Sequence, residues 1–156
     1  MPMTRFPRGL SAWGVPAIGP LPVPFGSTGR YHFVSSANGS NGNRGDDPSR
    51  ALATIGQAQT NGVAGDGIIV DPRSSLVENV VITKNNLTII SAASLVGGRD
   101  RATIEPASGI PFRVTTGIGV TAIGMRFFSA DASAAASQEA DGFSYIDCDF
   151  QSTSGI

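Results

Sequence analysis

The chain has 156 residues, of which 40% are hydrophobic and only 15% are charged, and its formal net charge is −1. Twenty glycines and ten prolines interrupt it. This composition disfavours a strongly basic nucleic-acid binder, a disordered acidic chain and a helical bundle, and it predicts one turn-rich β domain with weakly charged surfaces.

Cys148 is the only cysteine in the sequence. A single cysteine excludes an intrachain disulfide and suits a protein made in a reducing cytoplasm. The sequence has no run of 18 apolar residues, so no membrane-spanning helix is expected.

Charge and proline content divide the chain into two parts. Residues 1–45 hold four arginines and no acid (+4), whereas residues 46–156 hold seven basic and twelve acidic residues (−5), and the two sum to −1. Six of the ten prolines lie within residues 1–24. The sequence therefore predicts a basic segment and an acidic body with different physical roles.

Residues 1–30 are predicted to form an extended arm, because proline fixes φ, removes an N–H donor and pushes the preceding residue to extended conformations. The many apolar side chains of the arm favour docking on a partner surface, with folding back over its own domain as the alternative. The predicted docking residues are Arg5, Phe6, Arg8, Leu10, Trp13, Val15, Ile18 and Phe25.

After the arm, the sequence predicts a strand, a loop and a short helix. Residues 31–36 alternate well enough to be a first strand, and residues 37–50 form a polar loop rich in Asn, Asp and Gly. Apolar spacing predicts a helix within residues 51–64, with Ser49 as its N-cap and Gly62 at its end.

From residue 65 onward the pattern changes to short runs rich in β-branched and aromatic residues, separated by turn formers. These runs predict strands at residues 68–70, 80–82, 87–90, 103–104, 112–114, 120–123, 125–128, 143–146 and 148–150.

Part of this region repeats. Ile90, Ile123 and Ile146 hold equivalent positions, and periods of 20–50 residues indicate a solenoid in which each repeat stacks on the one before. The longer first interval is expected to contain an insertion at residues 92–101. The Ala- and Ser-rich residues 129–141 are expected to be a loop or, alternatively, a short helix.

Four runs carry a resemblance to a known family: residues 34–45, Pro-Ser-Arg-Ala-Leu-Ala-Thr-Ile-Gly-Gln-Ala at residues 48–58, Gly-Asp-Gly-Ile-Ile-Val-Asp-Pro at 65–72, and Asn-Val-Val-Ile-Thr-Lys-Asn-Asn-Leu-Thr-Ile-Ile-Ser at 79–91. They resemble the opening of right-handed parallel β-helix proteins of the pectate-lyase-like class. The resemblance implies an all-β fold: a small right-handed parallel β-helix with a short N-terminal capping helix and an extended Pro-rich N-terminal arm.

The predicted organisation has three units. Residues 1–30 form the docking arm, residues 31–64 contain the first strand, polar loop and capping helix, and residues 65–156 contain the β-helix coils.

The arm carries a second resemblance. Thr-Arg-Phe-Pro-Arg-Gly-Leu at residues 4–10, followed by Trp-Gly-Val-Pro at 13–16, is similar to the N-terminal arm of some tailed-phage virion proteins. The resemblance implies a capsid decoration (cement) protein that is made in the host bacterial cytoplasm and docks on the major capsid protein at the virion exterior. A homotrimer is the expected assembly, since subunit contacts would bury exposed faces.

Two other functions stay open from the sequence. A head-fibre or tail-spike segment would bind host surface glycan. A polysaccharide lyase or hydrolase would need clustered carboxyl groups, for which Asp147 and Asp149 are the best candidates. Because both are expected on one outward strand face opposite Arg126, an ion pair is favoured over catalysis.

No cofactor, metal, nucleic acid or membrane partner is expected. The loop at residues 38–47 has two carboxylates, too few for a convincing calcium site, and one histidine with one cysteine cannot form a zinc site. His32 is expected at the strand surface or bonded to the loop. Cys148 is expected in the core, with its pKa raised by the flanking aspartates.

Overall fold

A computed structural model describes residues 11–12, 15–16, 30–93, 100–130, 135–139 and 141–152. Within the arm it describes two short strands, β1 (Ser11–Ala12) and β2 (Val15–Pro16), which pair antiparallel with Ala12 opposite Val15. The predicted docking residue Val15 therefore lies in a paired backbone segment.

The described body begins at Arg30 and consists mainly of short strands. Its elements are β3 (Tyr31–Val34), a 3-10 helix (Pro48–Arg50), α1 (Ile55–Asn61), β4 (Gly67–Val70), β5 (Ser75–Leu76), β6 (Val80–Ile82), β7 (Thr88–Ser91), β8 (Thr103–Ile104), β9 (Phe112–Val114), β10 (Thr121–Ile123), β11 (Arg126–Ser129), β12 (Ser137–Gln138), β13 (Ser144–Ile146) and β14 (Asp149–Ser152).

The body strands form three sheets in which every paired neighbour is parallel. Their orders are β13-β10-β7-β4-β3, β14-β11-β8-β5 and β12-β9-β6. The chain enters the sheets in rotation, so that β4–β6 form repeat 1, β7–β9 repeat 2, β10–β12 repeat 3, and β13 with β14 repeat 4. The prediction of an all-β fold is confirmed, and its sheets are parallel.

The strand register confirms the repeat seen in the sequence. Ile123 of β10 aligns with Ile90 of β7 on one side and with Ile146 of β13 on the other. The same column continues through Ile69 of β4 to Phe33 of β3. The equivalence of the three isoleucines is therefore a true structural alignment.

Alternate residues of each sheet point into one shared core, as the two-residue period of a strand requires. In the five-stranded sheet these are Ile68, Ile89 and Ala122, all fully buried. Leu76, Ile104 and Phe127 contribute from the second sheet, and the third contributes Val80, Ile82, Phe112 and Val114.

The five-stranded sheet also has an apolar column on its outer face, which we call the outer stripe. Its members are Phe33, Ile69, Ile90, Ile123 and Ile146, aligned by strand register. Each directly neighbours a residue of the shared core or, in β13, the core-packed Tyr145, so it faces away from that core.

The helix starts later than the sequence predicts, and Ser49 is not its N-cap. Ser49 lies in the 3-10 helix that Asp47 caps, and Leu52 then forms a parallel bridge with Val34. Because this bridge needs extended backbone, α1 begins only after Thr54, whose side chain accepts a hydrogen bond from Gln57 N–H. The predicted end at Gly62 is confirmed.

Besides β1 and β2 of the arm, two described strands of the body were not predicted. Ser75–Leu76 and Ser137–Gln138 lack the β-branched and aromatic residues by which strands are recognised, and pairing with β8 and β9 creates them. Ser137–Gln138 falls in the segment for which a loop or short helix was expected. The predicted strand at 148–150 starts instead at Asp149, since Asp147, with φ of 51°, turns the corner from β13.

Candidate functional site

The predicted docking residues of the arm mostly fall outside the described residues. These are Arg5, Phe6, Arg8, Leu10, Trp13, Ile18 and Phe25. Val15 is described as part of β2. In the body, the features that bear on function are the two ends of the parallel sheets and one groove beside them.

At the end formed by β3, β5 and β6, which we call the capped end, α1 lies against β6 and also contacts β3 and β4. The Gln59 side chain bonds the exposed edge of β6: its Nε2 donates to Val81 O at 2.9 Å, and its Oε1 accepts from Thr83 N at 2.8 Å. One amide side chain thus replaces the donor and acceptor that a further strand would supply.

The N-terminus of α1 is held by an acid from the body. Glu78 accepts hydrogen bonds from Ile55 N at 2.7 Å and Gly56 N at 3.1 Å, which are two of the helix's free N–H groups. Burial raises the pKa of Glu78, and these two hydrogen bonds offset burial only in part. Glu78 therefore fixes the helix over repeat 1.

A buried histidine–carboxylate pair ties the start of β3 to the turn before β4. His32 Nε2 lies 3.0 Å from Asp66 Oδ2, and Asp66 also accepts from the N–H groups of Arg30 and Val63. Burial acts to raise the pKa of Asp66, but the hydrogen bonds outweigh it and the pKa is lowered. The expectation that His32 lies at the strand surface is wrong, since it is 7% exposed.

Serine side chains cover the remaining edge of the capped end, at β5. Ser36 N donates to Ser74 Oγ at 3.0 Å, and Ser75 N donates to Ser36 Oγ at 3.2 Å. All three sheets therefore receive side-chain or backbone partners at this end.

The opposite end, formed by β12, β13 and β14, is the open end. Ile146 and Phe150 are 48% and 45% exposed, although their register partners Ile123 and Phe127 are buried. The columns that are buried inside the body thus become exposed at the last described strands of the five-stranded and four-stranded sheets.

Five aromatic rings gather below the open end: Phe112, Phe127, Phe143, Tyr145 and Phe150. The rings of Phe143 and Tyr145 have centroids 4.2 Å apart, and those of Tyr145 and Phe150 are 4.9 Å apart. Burial raises the pKa of Tyr145 to about 12. The cluster forms an apolar surface, and its rings in repeat 4 are only about half buried.

The acids of repeat 4 bind arginines of earlier repeats. Asp149 lies 3.1 Å from Arg126 Nε, which confirms the predicted ion pair, and Asp147 Oδ1 lies 2.6 Å from Arg101 Nη2. The two acids do not share one strand face, because Asp147 lies in the corner before β14. Asp149 therefore links repeat 4 to the neighbouring repeat 3, and Asp147 links repeat 4 to repeat 2.

An arginine-lined groove follows the outer face of the four-stranded sheet. Its lining combines guanidinium, hydroxyl and carboxylate groups from Pro72, Arg73, Ser74, Ser75, Asp100, Arg101, Thr103 and Arg126. Arg101 and Arg126 already bind carboxylates, whereas the Arg73 side chain is 77% exposed and lies 3.7 Å from Asp71. Sequence spacing does not reveal this groove, because its residues come from three different repeats.

Cys148 packs half-buried against the shared core. Burial raises its pKa, and Arg101 acts in the opposite direction. The predicted direction is confirmed, but its cause is burial and not the flanking aspartates.

The two acids of the polar loop have local partners. Asp46 pairs with Arg50 at 3.3 Å, and Asp47 accepts from Ser49 Oγ at 2.6 Å and from Ser49 N at 2.7 Å, which together lower its pKa. Among the described residues, no group of three or more His, Cys, Asp or Glu side chains is placed to hold a metal ion.

None of the helices in the described ranges is long and apolar enough to cross a membrane. Comparison with protein family models, with curated proteins and with solved structures finds no match to this chain. The two family resemblances therefore depend on the sequence motifs alone.

Proposed function

We propose that the body is a right-handed parallel β-helix. The rotation of the chain through three parallel sheets supports this fold, because each repeat would form one coil stacked on the previous coil. Parallel crossovers are overwhelmingly right-handed. An experimental structure tests the proposal by whether the three sheets close around the shared core.

We infer that the protein is a capsid decoration protein of a tailed phage, which docks through its arm on the major capsid protein and stabilises the shell. The arm carries this inference. Residues 1–29 contain Arg5 and Arg8, no acid, and apolar side chains on a Pro-rich backbone. Such a segment suits an extended groove with apolar pockets and an acidic rim.

The ion pairs of the body favour a structural role over polysaccharide cleavage. Glycoside cleavage needs two carboxyl groups that face one substrate bond. Asp147 and Asp149 instead bind different arginines, Arg101 and Arg126. Their arrangement links repeat 4 to repeats 2 and 3, which contributes to rigidity.

The decisive experiment adds the purified chain to phage shells that lack it, and measures bound copies per particle and the temperature of DNA release. Many copies and a higher release temperature are expected. Arg8→Glu and Trp13→Ala should reduce occupancy at least about tenfold, since they remove a charge and an aromatic anchor.

The matched control is Arg50→Glu, a charge change of equal size in the body, which should leave shell occupancy unchanged. A few copies confined to the tail, or equal binding by the arm variants and the wild type, would contradict the proposed function.

Glycan binding is the second candidate, and the groove favours it. Hydroxyl, carboxylate and guanidinium groups side by side can donate to and accept from sugar hydroxyls. Arg73→Ala should then abolish adsorption to host glycan, while Arg8→Glu should leave it unchanged. No glycan binding by the wild type would exclude this candidate.

A further inference from the structure

The outer stripe is buried along most of its length. Phe33, Ile69, Ile90 and Ile123 are no more than 8% exposed, whereas Ile146, at the open end, is 48% exposed. Large apolar side chains that face away from the core reach such burial only under other atoms. The cover therefore extends over four of the five strands and stops before β13.

We propose that residues 19–25 of the arm, in the same chain, dock along the outer stripe. Their sequence is Gly-Pro-Leu-Pro-Val-Pro-Phe, in which every second residue is proline. Residues before proline favour extended conformations, so Leu21, Val23 and Phe25 would share one face and the prolines the other. Such a ribbon has one face of apolar side chains to place on the stripe.

The lengths of segment and stripe agree. Leu21 and Phe25 are four residues apart, which spans about 13 Å in an extended chain. Phe33 and Ile123 are separated by three strand spacings, or about 14 Å. A segment that runs across the strands with three apolar side chains would therefore cover the four buried residues of the outer stripe.

The attachment point of the arm also fits. Arg30 is fixed at the start of β3 by its N–H bond to Asp66, 2.8 Å long. Residues 26–29 are Gly-Ser-Thr-Gly, which allows the chain to reverse over the sheet. The five residues from Arg30 to Phe25 span at most about 18 Å, so Phe25 reaches the outer stripe near its β3 end. Ile146 then lies beyond Leu21, consistent with its exposure.

A competing cover is the segment at residues 94–99, which follows β7. Its large apolar residues are Leu95 and Val96, and it leaves and rejoins the body between β7 and β8. These two side chains, which enter at a single repeat, are too few to cover the four buried residues of the outer stripe. The arm segment fits the extent of the burial better.

The proposed docking divides the arm into two halves with different roles. Residues 19–25 would belong to the body, while residues 4–16 would extend from it and stay available for the shell. The inference does not depend on the proposed function, because the stripe needs its cover whatever the outer half binds.

The test is Val23→Asp in the full-length chain, with Val15→Asp as the matched control in the outer half. Val23→Asp should lower the folding equilibrium constant by about 5–30-fold and increase binding of an apolar dye, because it places a carboxylate over the stripe. Val15→Asp should change neither. The shift of the unfolding midpoint caused by Val23→Asp should be the same at every protein concentration, because the contact is intramolecular.

A second measurement locates the segment without relying on stability. Chymotrypsin should cleave the wild type after Trp13 and spare Phe25, and Val23→Asp should speed cleavage after Phe25 at least about tenfold. Three results would overturn the proposal: equal cleavage at both sites, loss of stability on Leu95→Asp but not on Val23→Asp, or an effect of Val23→Asp on the midpoint that changes with protein concentration, which would assign the cover to a second copy.

Discussion

The capped and open ends of the sheets have the same strand register but different cover. At the capped end, Gln59 and Ser36 bond to backbone groups of β6 and β5 that further strands would otherwise pair, and Glu78 accepts from a free N–H group of α1. At the open end, Ile146 and Phe150 are about half exposed in columns that are buried elsewhere. The comparison teaches that side-chain alternation continues to the last strand, whereas burial depends on what stacks on it.

The largest expected effect breaks the capped end at Gly39. A Cβ atom there would overlap the backbone carbonyl oxygens of Leu52 and Ser35, and Leu52 forms the bridge that precedes α1. Because backbone cannot move aside like a flexible side chain, Gly39→Ala should cost more than about 3 kcal/mol of unfolding free energy. Chemical denaturation measures it.

Gly42→Ala is the control for this substitution, since its Cβ would meet only Ser40 Oγ, at 3.7 Å. It should change stability by less than about 0.5 kcal/mol. Similar losses for the two variants would show that the polar loop does not pack as described.

Core truncation sharpens the comparison between the ends. Leu52→Ala removes a fully buried side chain at the capped end and should cost about 3 kcal/mol, whereas Phe150→Ala, at a position 45% exposed, should cost about 1 kcal/mol. Denaturant midpoints with unchanged slopes would give both values. Equal losses would mean that the open end is covered in solution.

The carboxyl group that holds α1 should give the capped end a pH dependence. Burial raises the pKa of Glu78 above its ordinary value of 4.5, so its contribution to stability is full below that value and declines as pH rises through the raised pKa. Glu78→Gln should remove this decline while costing about 1 kcal/mol at low pH through weaker hydrogen bonding.

Asp66, also at the capped end, gives a pH dependence of stability with the opposite sign. Its pKa is lowered from 3.8, so the stability it contributes is present above that value and is lost as pH falls through the lowered pKa. When stability is plotted against pH, the curve of Glu78→Gln should therefore flatten on the high-pH side, and the curve of Asp66→Asn should flatten on the low-pH side. Parallel curves would contradict both assignments.

The smallest effect concerns the ion pairs that hold repeat 4. The Arg126–Asp149 pair is partly exposed, so Arg126→Gln should cost less than about 1 kcal/mol, and the cost should shrink in high salt. Hydrogen exchange of β14 amides measures the effect locally. Arg50→Gln, which breaks the exposed pair with Asp46, should leave β14 protection unchanged.

Much of the fold could be predicted from the sequence because short β-branched runs with turns between them leave few alternatives. The equivalence of Ile90, Ile123 and Ile146 came from pattern alone and matches the register. Ser75–Leu76 and Ser137–Gln138 could not be found this way, since their strand conformation comes from neighbouring repeats and not from propensity.

The bonds that close the capped end were likewise not predictable. Gln59 and Glu78 are ordinary polar residues in sequence, and their roles arise only when α1 lies over β6. The Arg126–Asp149 pair was predictable because strand alignment of the last repeats places the two residues opposite each other. Side-chain contacts can thus be predicted from the sequence where they follow from strand register. They cannot be predicted where they depend on the position of a helix.

The strand pairing of the body has a consequence for how the molecule comes apart. Among the described residues, each body strand pairs only with its neighbours in its own sheet, so β13 and β14 pair only with strands of repeat 3, and the Asp147–Arg101 ion pair adds one link to repeat 2. Opening should therefore begin as fraying of β13 and β14 and proceed inward, one repeat at a time. Protection of backbone amides from hydrogen exchange would rise repeat by repeat from Asp149 towards Ile68. The number of repeats between a residue and the open end would thus set how long its amide stays protected.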